Sequence, residues 1–324
     1  MKKSTKNLII IASILCAVGI FACIVGIFAV GFDFSKLNTS QYEERVYEIN
    51  EDFENIVIDV SVADVNFIPC DGVNKGVKSY ERENRDHIVY VKDGTLYINE
   101  REKEWYDHIE FSFFIIGKRE TIDVYLPDNK YNSLNVETNT GDVSIPEYFA
   151  FDNVEIESDT GDVRVLAKAE NISVSTDTGD VLAEKLEVND LSIETDTGRI
   201  NIYNANVKGR LEAETDTGKM HMANVNAAGI SVESNTGDVL FEHTEVSGKL
   251  NVISDTGDVH FALSDADTIY VRTSTGDVTG TLLSEKVFTT STHTGRVRIP
   301  NSNSGGACEI RTGTGDIEIE IENY

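Results

Sequence analysis

Aspartate residues recur at fixed places along this 324-residue chain and form its strongest candidate for a ligand site. Seven of them directly follow the glycine of a Thr-Gly pair: Asp142, Asp162, Asp180, Asp238, Asp258, Asp277 and Asp316. Five others lie two residues before such a glycine: Asp159, Asp177, Asp196, Asp216 and Asp255. Stacked carboxylates repel each other, and Ca²⁺, which takes about six to eight oxygen ligands, would relieve that repulsion.

Two features weaken the calcium hypothesis. Arg199, Lys219 and Arg296 take the place of aspartate in three units and give local charge relief. The glycine-rich nonapeptide of calcium-binding β-rolls is absent from the sequence. Aspartate is also favoured in turns for its own backbone chemistry. We therefore expect solvated turn aspartates and predict no metal site and no cofactor, with calcium as the alternative.

Other groups that carry enzyme chemistry form no recognisable motif. The histidines are His87, His108, His221, His243, His260 and His293, and none has the spacing of a metal-binding pair. No serine stands in a Gly-x-Ser-x-Gly elbow. Glycoside hydrolysis needs a distinct carboxylate pair, but the acidic positions recur evenly. We predict that the protein is not an enzyme, and a polysaccharide-active β-helix enzyme is the weakest alternative.

The charge balance restricts the possible partners. The formal net charge is −28, and every acidic residue lies at or after Asp33. Such a surface repels nucleic-acid phosphates and anionic lipid, and it attracts cations or basic partners. The same charge also serves solubility outside the cell. We therefore exclude nucleic acid as a partner.

The Thr-Gly pairs reveal an internal repeat. They lie at 140–141, 160–161, 178–179, 197–198, 217–218, 236–237, 256–257, 275–276, 294–295 and 314–315, spaced by 18 to 20 residues. Each pair follows a stretch of alternating apolar and polar residues. Units this short and this rich in strand pattern are typical of stacked β-coils. The sequence predicts an all-β, single-domain β-solenoid, a right-handed β-helix of about ten to twelve coils.

One unit illustrates the expected arrangement of side chains. Alternate residues of a strand point to opposite faces. The inward set comprises Leu191, Ile193, Thr195 and Thr197, and the outward set comprises Glu194 and Asp196. This parity argues against an ice-binding role for the Thr-x-Thr motifs, because both threonines would face the core. Glycine is expected at the corner because a tight turn favours φ > 0.

The two ends of the array differ from its middle. Ile56 to Phe67 reads as a degenerate coil with Ala63-Asp64-Val65 at its corner. Ile68 to Lys130 departs from the repeat, with a hairpin signal at Lys92-Asp93-Gly94, and predicts a cap over the first open edge. Trp105 and the run Phe111 to Ile116 make this segment rich in aromatic residues. At the other end, the last strand carries Glu318, Glu320 and Glu322, which we expect to protect an edge by repulsion.

The four cysteines predict no disulfide. Cys16 and Cys23 lie in the apolar N-terminal segment. Cys70 and Cys308 belong to opposite ends of the solenoid, much farther apart than the roughly 7 Å between Cα atoms that a disulfide allows. Cys70, beside Pro69, is expected to be a packed thiol rather than a nucleophile.

The N-terminus reads as a membrane anchor. Leu8 to Phe32 contain no charged residue, and a helix of this length crosses a hydrocarbon core of about 30 Å. The preceding lysines Lys2, Lys3 and Lys6 place the N-terminus in the cytoplasm. A cleaved signal is too short to fit this stretch, and a lipoprotein signal ending at Cys23 leaves the apolar residues after it unexplained. We predict a single-pass protein of the cell membrane with an extracellular C-terminal domain.

The stretch IDVYLPDNKYNSLNVETNTGDVSI, Ile122 to Ile145, and the TDTGDV-type units after it resemble the bacterial putative-adhesin family, a domain of unknown function. The resemblance extends from about Phe53 to Ile321. It implies anchoring by one N-terminal helix, and a link to envelope-stress signalling in some members. No catalytic motif of the family transfers to this chain.

These observations give a domain plan and a function. The predicted segments are a cytoplasmic tail (1–7), a transmembrane helix (8–32), a linker (33–52), a first coil and cap with hairpin (53–130) and the solenoid repeats (131–324). We expect a non-enzymatic, adhesin-like surface binding module, with an accessory role in envelope-stress signalling as the alternative. Its partner would be a cell-envelope or surface component, or a membrane protein. Specificity should reside in Ile68 to Lys130 and in the variable loops, and the oligomeric state stays open.

Overall fold

The computed structural model describes residues 42–72, 74–82, 86–101 and 119–322, together with Leu15, Cys16, 18–21 and Val25. The described residues before Tyr42 are helical. None of the helical stretches within these ranges is long and apolar enough to cross a membrane. The anchor predicted over 8–32 falls mostly outside the described residues, as do Trp105 and the run Phe111 to Ile116.

The chain clusters into two compact units. One comprises 1–43, 82–84 and 102–119, most of which lies outside the described ranges. The other comprises 44–81, 85–101 and 120–324 and is built from β-strands. The domain boundaries drawn from the sequence stay predictions.

The strands up to the first Thr-Gly corner are β1 (Tyr42–Glu48), β2 (Asn55–Val62), β3 (Asp64–Cys70), β4 (Gly76–Arg82), β5 (His87–Lys92), β6 (Thr95–Glu100), β7 (Thr121–Pro127) and β8 (Lys130–Thr140). The next are β9 (Val143–Ile145), β10 (Ala150–Thr160), β11 (Val163–Val165), β12 (Lys168–Thr178), β13 (Val181–Glu184), β14 (Glu187–Val188), β15 (Asp190–Thr197), β16 (Ile200–Thr217) and β17 (Met220–Thr236). The last are β18 (Val239–Glu242), β19 (Glu245–Thr256), β20 (Val259–Thr275), β21 (Val278–Leu282), β22 (Lys286–Thr294), β23 (Val297–Arg298), β24 (Gly306–Thr314) and β25 (Ile317–Ile321).

Two parallel stacks meet at the Thr-Gly corners. The first sheet contains the strands that lead into the corners and runs β2, β8, β10, β12, β15, β16, β17, β19, β20, β24, β22. The second sheet contains the strands that leave them and runs β3, β9, β11, β13, β16, β17, β18, β20, β21, β25, β23. Strands β16, β17 and β20 are long enough to belong to both stacks.

The core follows the alternation read from the sequence. Leu191 and Ile193 are buried, and Glu194 between the inward positions is exposed. In-register pairing stacks Leu191 between Ile172 and Leu211 of the neighbouring coils. Each such buried side chain contributes about 1.5–3 kcal/mol of hydrophobic stabilisation. The predicted all-β solenoid is confirmed, with about nine turns instead of ten to twelve coils; its handedness stays a prediction.

The coils do not stack entirely in sequence order. Strand β24 pairs with β20 on one side and β22 on the other, and β25 likewise lies between β21 and β23. The final coil is therefore inserted before the coil that precedes it in sequence. The expectation of edge protection is wrong for Glu318, which β23 covers. Residues 319–321 pair with β21 alone, so for Glu320 and Glu322 the expectation stays a prediction. The outermost strands at this end are β22 and β23.

The other end carries two strands that continue the parallel stacks, β6 and β7, and two that close antiparallel against them, β5 and β4. Strand β6 pairs with β2, and β5 closes against β6 as a hairpin through Asp93 and Gly94, both with positive φ (50° and 75°). On the second sheet, β7 pairs with β3 and β4 closes antiparallel against β7. The hairpin predicted from Lys92-Asp93-Gly94 is therefore present. The degenerate first coil is also present, because β2 and β3 meet at Ala63.

Candidate functional site

The corner glycines lie on top of one another, and this contact explains their presence in all ten repeats. A Cβ built on Gly218 would lie 1.7 Å from the carbonyl oxygen of Gly198, and one built on Gly237 would lie 1.7 Å from that of Gly218. Gly237 also has a φ of +150°, whereas Gly218 lies outside the positive-φ range that disfavours side chains. Close approach of stacked backbones, more than the positive φ expected from the turn, therefore requires glycine here.

The corner aspartates form a ladder of hydrogen bonds between coils. In eight of the ten repeats, the main-chain N–H of the residue after the corner glycine donates to a carboxylate one coil away; Lys219 and Asp238 follow the other two glycines. The donor–acceptor pairs are Asp142–Asp64 (3.0 Å), Asp162–Asp142 (2.9 Å), Asp180–Asp162 (2.8 Å), Arg199–Asp180 (2.8 Å), Asp258–Asp238 (3.2 Å), Asp277–Asp258 (2.8 Å), Asp316–Asp277 (2.7 Å) and Arg296–Asp316 (2.7 Å). We call this set the carboxylate ladder. Its aspartates have a structural role that the solvated-turn interpretation missed.

The basic residues that interrupt the aspartate column end the ladder with ion pairs. Arg199 Nη2 lies 2.6 Å from Asp180 Oδ2, and Lys219 Nζ lies 2.7 Å from Asp238 Oδ2. The hydrogen bond from Arg199 holds the pKa of Asp180 below its usual value, and the bond from Lys219 does the same for the pKa of Asp238. The charge relief expected at these positions is confirmed.

The two threonines of each Thr-x-Thr motif have different environments. Thr195 is 1% exposed, and its hydroxyl donates to the carbonyl oxygen of Gly179 at 3.2 Å. Thr312 donates in the same way to Gly276 at 3.1 Å. Thr197, by contrast, is exposed, as is the threonine of every Thr-Gly pair. The prediction that both threonines face inward is wrong for the second, because the chain has already begun to turn at the corner.

The outward face of the first sheet carries an uncompensated negative charge. Five exposed glutamates occupy one column of this face, with Ser175 between the second and the third: Glu137, Glu157, Glu194, Glu214 and Glu233. The second column holds the five aspartates that precede the corners, all of them exposed. We call these two columns the acidic face. Within the described part of the chain, none of the five glutamates has an ion pair.

The charges of the acidic face act on one another. Partial burial and the nearby carboxylates of Glu233 and Glu194 raise the pKa of Glu214 above its usual value. Stacked strands lie about 4.8 Å apart, a distance at which like charges repel appreciably. A bound cation would relieve this repulsion. The described residues nevertheless include no group of three His, Cys, Asp or Glu side chains arranged to hold a metal ion.

Comparison with known proteins identifies the repeat. The family model Toastrack DUF4097 matches residues 53–320, most of the chain. The chain belongs to the Toastrack DUF4097 family. The resemblance to the putative-adhesin family is thereby confirmed. No curated protein matches this Toastrack chain.

One solved structure shares the fold of the Toastrack solenoid. A putative lipid binding protein from Parabacteroides distasonis aligns with a TM-score of 0.51 and 17% identity, over 75% of this chain and 95% of that chain. A putative adhesin from Parabacteroides merdae aligns with a TM-score of 0.49 and 13% identity, over 75% and 94%. Neither name describes an enzyme. At 17% identity, the likeness to the putative lipid binding protein shows a shared fold and does not identify a ligand.

The other reactive side chains of the Toastrack domain are two cysteine thiols and a hydrogen-bonded histidine. Cys308 is buried, and burial raises the pKa of its thiol to about 12, which suppresses the nucleophilic thiolate. Cys70 and Cys308 are both free thiols. His221 bridges the hydroxyl of Tyr203 and the carboxylate of Glu242, at 3.2 Å from each. This His221 network lies on the second sheet, and no sequence motif pointed to it, because its members come from three coils.

Proposed function

We propose that this Toastrack protein is a non-enzymatic, adhesin-like binding module that recognises a cationic component of the cell envelope or surface. The observation that carries the proposal is the acidic face. Its five glutamates share one column, three of them on consecutive strands, and have no ion pairs in the described chain, and the pKa of Glu214 is raised. A cationic partner laid along the solenoid would neutralise several carboxylates at once. Such multivalent contact suits a long repetitive surface better than a single deep pocket.

The fold leaves this face available for binding. The carboxylate ladder uses the corner aspartates for inter-coil hydrogen bonds, and inward Thr195 bonds Gly179. The glutamates of the acidic face take no part in either set of contacts. Their charge is therefore not needed to hold the coils together, and its repulsion works against folding. Retaining an unfavourable charge array on one face supports a binding role for it.

Localisation forms part of the same proposal. The apolar stretch Leu8 to Phe32, with basic residues before it and an acidic chain after it, supports a single-pass anchor with the solenoid outside the cell. The solenoid would then present its acidic face to the cell surface or to neighbouring envelope polymers. A membrane protein partner in stress signalling is the alternative role.

An experiment in cells distinguishes the binding role from the signalling role. In a deletion strain complemented with the full chain, attachment and envelope-stress reporter output would be measured together. The test variant replaces Glu194, Glu214 and Glu233 by Gln, and the matched control replaces the exposed Glu187, Glu245 and Glu320 of other faces. Loss of attachment in the test variant alone supports the binding module. A change in reporter output with normal attachment would overturn it in favour of signalling, and normal behaviour in both assays would also contradict it.

A further inference from the structure

The outward glutamate column reverses its charge toward the outermost coils. In register along the first sheet, Glu233 is followed by Ile253, Arg272, Arg311 and Ser291. The positions held by glutamate in the middle of the solenoid are thus held by two arginines near β22. Arg272 and Arg311 are both exposed on this face. A chain of net charge −28 therefore has a local cationic site on the same side as the acidic face.

A depression lies beside these arginines. The neighbouring column carries Ser274 and His293, and between them Gly313 has no side chain. The Cα of Gly313 lies so close to the next coil that a Cβ would approach the carbonyl oxygen of Ser274 to 2.6 Å. The resulting hollow has a volume of about 510 Å³, and the residues that line it include Arg272, Arg311, His293, Ser274, Thr289 and Ser291. We call it the arginine hollow.

The guanidinium groups of the arginine hollow are only partly neutralised. Arg311 Nη2 lies 2.6 Å from Glu309 Oε1 on the same strand, and Arg272 has no ion pair with any residue that the structure describes. Arg272 and Arg311 face each other across adjacent strands, where like charges repel. The nearest glutamate of the column, Glu233, is two strands away from Arg272, or about 10 Å, comparable to the Debye length at about 0.1 M salt.

We propose that the arginine hollow binds an oxyanion carried on a hydroxylated molecule, such as a sugar or polyol phosphate or an acidic sugar. The planar fork of arginine matches phosphate and carboxylate oxygens with paired hydrogen bonds. The surrounding Ser and Thr hydroxyls donate to and accept from ligand hydroxyls. An oxyanion between Arg272 and Arg311 would also relieve their mutual repulsion. This site adjoins the acidic face at Asp255, which accepts a hydrogen bond from the Ser274 hydroxyl at 3.3 Å. It has the opposite charge and does not depend on the proposed function.

The structure offers substitutions that the fold already accommodates. Glutamate occupies the position of Arg272 in five other coils, at Glu137, Glu157, Glu194, Glu214 and Glu233. Arg272→Glu should therefore preserve the solenoid and place a repelling charge in the hollow. Arg164→Glu, at an exposed position of β11 on the second sheet, makes the same change in net charge away from the hollow.

Calorimetric titration of the full chain in lipid nanodiscs tests the proposal. The probes are inorganic phosphate, glycerol 3-phosphate and glucuronate, which separate phosphate from carboxylate recognition. We expect at least one probe to bind, with affinity at least about tenfold weaker in Arg272→Glu and unchanged in Arg164→Glu. Circular dichroism would check that both variants fold alike. Equal weakening in the two variants, or no binding of any probe to the parent chain, would overturn the proposal.

Discussion

Lys286 Nζ lies 2.6 Å from Asp265 Oδ1, although an entire coil separates their strands. Lys286 begins β22 and Asp265 lies in β20, and β24 pairs with both of these strands. The lysine reaches past Gly306, its register neighbour on β24, which has no side chain to block the path. Both charged side chains are largely buried, at 3% and 15% exposure. This pair fastens the outermost coil across the inserted one.

Removing the lysine should loosen the end of the solenoid. Lys286→Ala leaves Asp265 without its cation, and breaking a largely buried ion pair costs about 3 kcal/mol. Amide hydrogen exchange measured by mass spectrometry should show faster exchange in β22 and β23 and unchanged exchange in β10. Lys208→Ala, at an exposed lysine, is the control and should change neither. Unaltered protection of β22 in the Lys286 variant would contradict the fastening role.

Alanine at a corner glycine should be severely destabilising. In Gly218→Ala the new Cβ meets the carbonyl oxygen of Gly198 at 1.7 Å, so the coils must separate, at a cost of a few kcal/mol (about 2–4). Gly229→Ala is the matched control, because its Cβ would have only an ordinary contact at 3.7 Å, to Lys249. Urea denaturation should give a lower midpoint for the first variant alone. Similar midpoints for the two variants would contradict the explanation that close approach of the stacked backbones requires glycine.

One rung of the carboxylate ladder can be removed by itself. Asp162→Ala leaves the N–H of Asp180 without its acceptor, and a typical hydrogen bond contributes about 1 kcal/mol. The amide of Asp180 should then exchange faster by NMR. Asp162→Asn keeps an acceptor oxygen and should retain most of the protection. An Asp180 amide equally protected in the alanine variant would show that the ladder bond contributes nothing.

Two carboxyls should give opposite pH dependences. The raised pKa of Glu214 means that its ionised form destabilises the fold at neutral pH, so Glu214→Gln should raise the melting temperature at pH 7. The lowered pKa of Asp180 means that its ionised form stabilises the fold, so Asp180→Asn should lower the melting temperature at pH 7. The Glu214 difference should vanish as the pH falls below the ordinary glutamate pKa of about 4.3, and the Asp180 difference should vanish only as the pH falls through the lowered folded-state pKa of Asp180. Differential scanning calorimetry across this range checks both signs, and differences that persist at low pH would contradict them.

Much of the solenoid follows from local pattern. Alternation fixes the inward Leu191 and Ile193, and the Asp93-Gly94 turn specifies its hairpin without tertiary information. The order of the last two coils does not follow, because β22 and β24 carry the same repeat signal and either could pair with β20. In the observed order, Lys286 pairs with Asp265 of a separate repeat, a contact that no single unit encodes.

The candidate sites were harder to predict for a similar reason. Each unit shows an aspartate after its glycine, but only the register between coils turns Asp142 and Asp162 into hydrogen-bonding neighbours. The arginine hollow likewise depends on Arg272 lying beside Arg311, 39 residues further along the chain, across the inserted coil. Counting the repeats in sequence order would have placed Ser291, rather than Arg311, next to Arg272.

The acidic face is the centre of the functional account, and binding of a fluorescent oligolysine to the full chain in nanodiscs tests it most directly. The Gln variant at Glu194, Glu214 and Glu233 is compared with the Gln variant at Glu187, Glu245 and Glu320, which has the same net charge. Exposed ion pairs contribute about 0.5 kcal/mol each, so losing three should weaken binding about tenfold in the first variant only. Equal weakening in both variants would show that net charge alone attracts cations and would contradict a binding face.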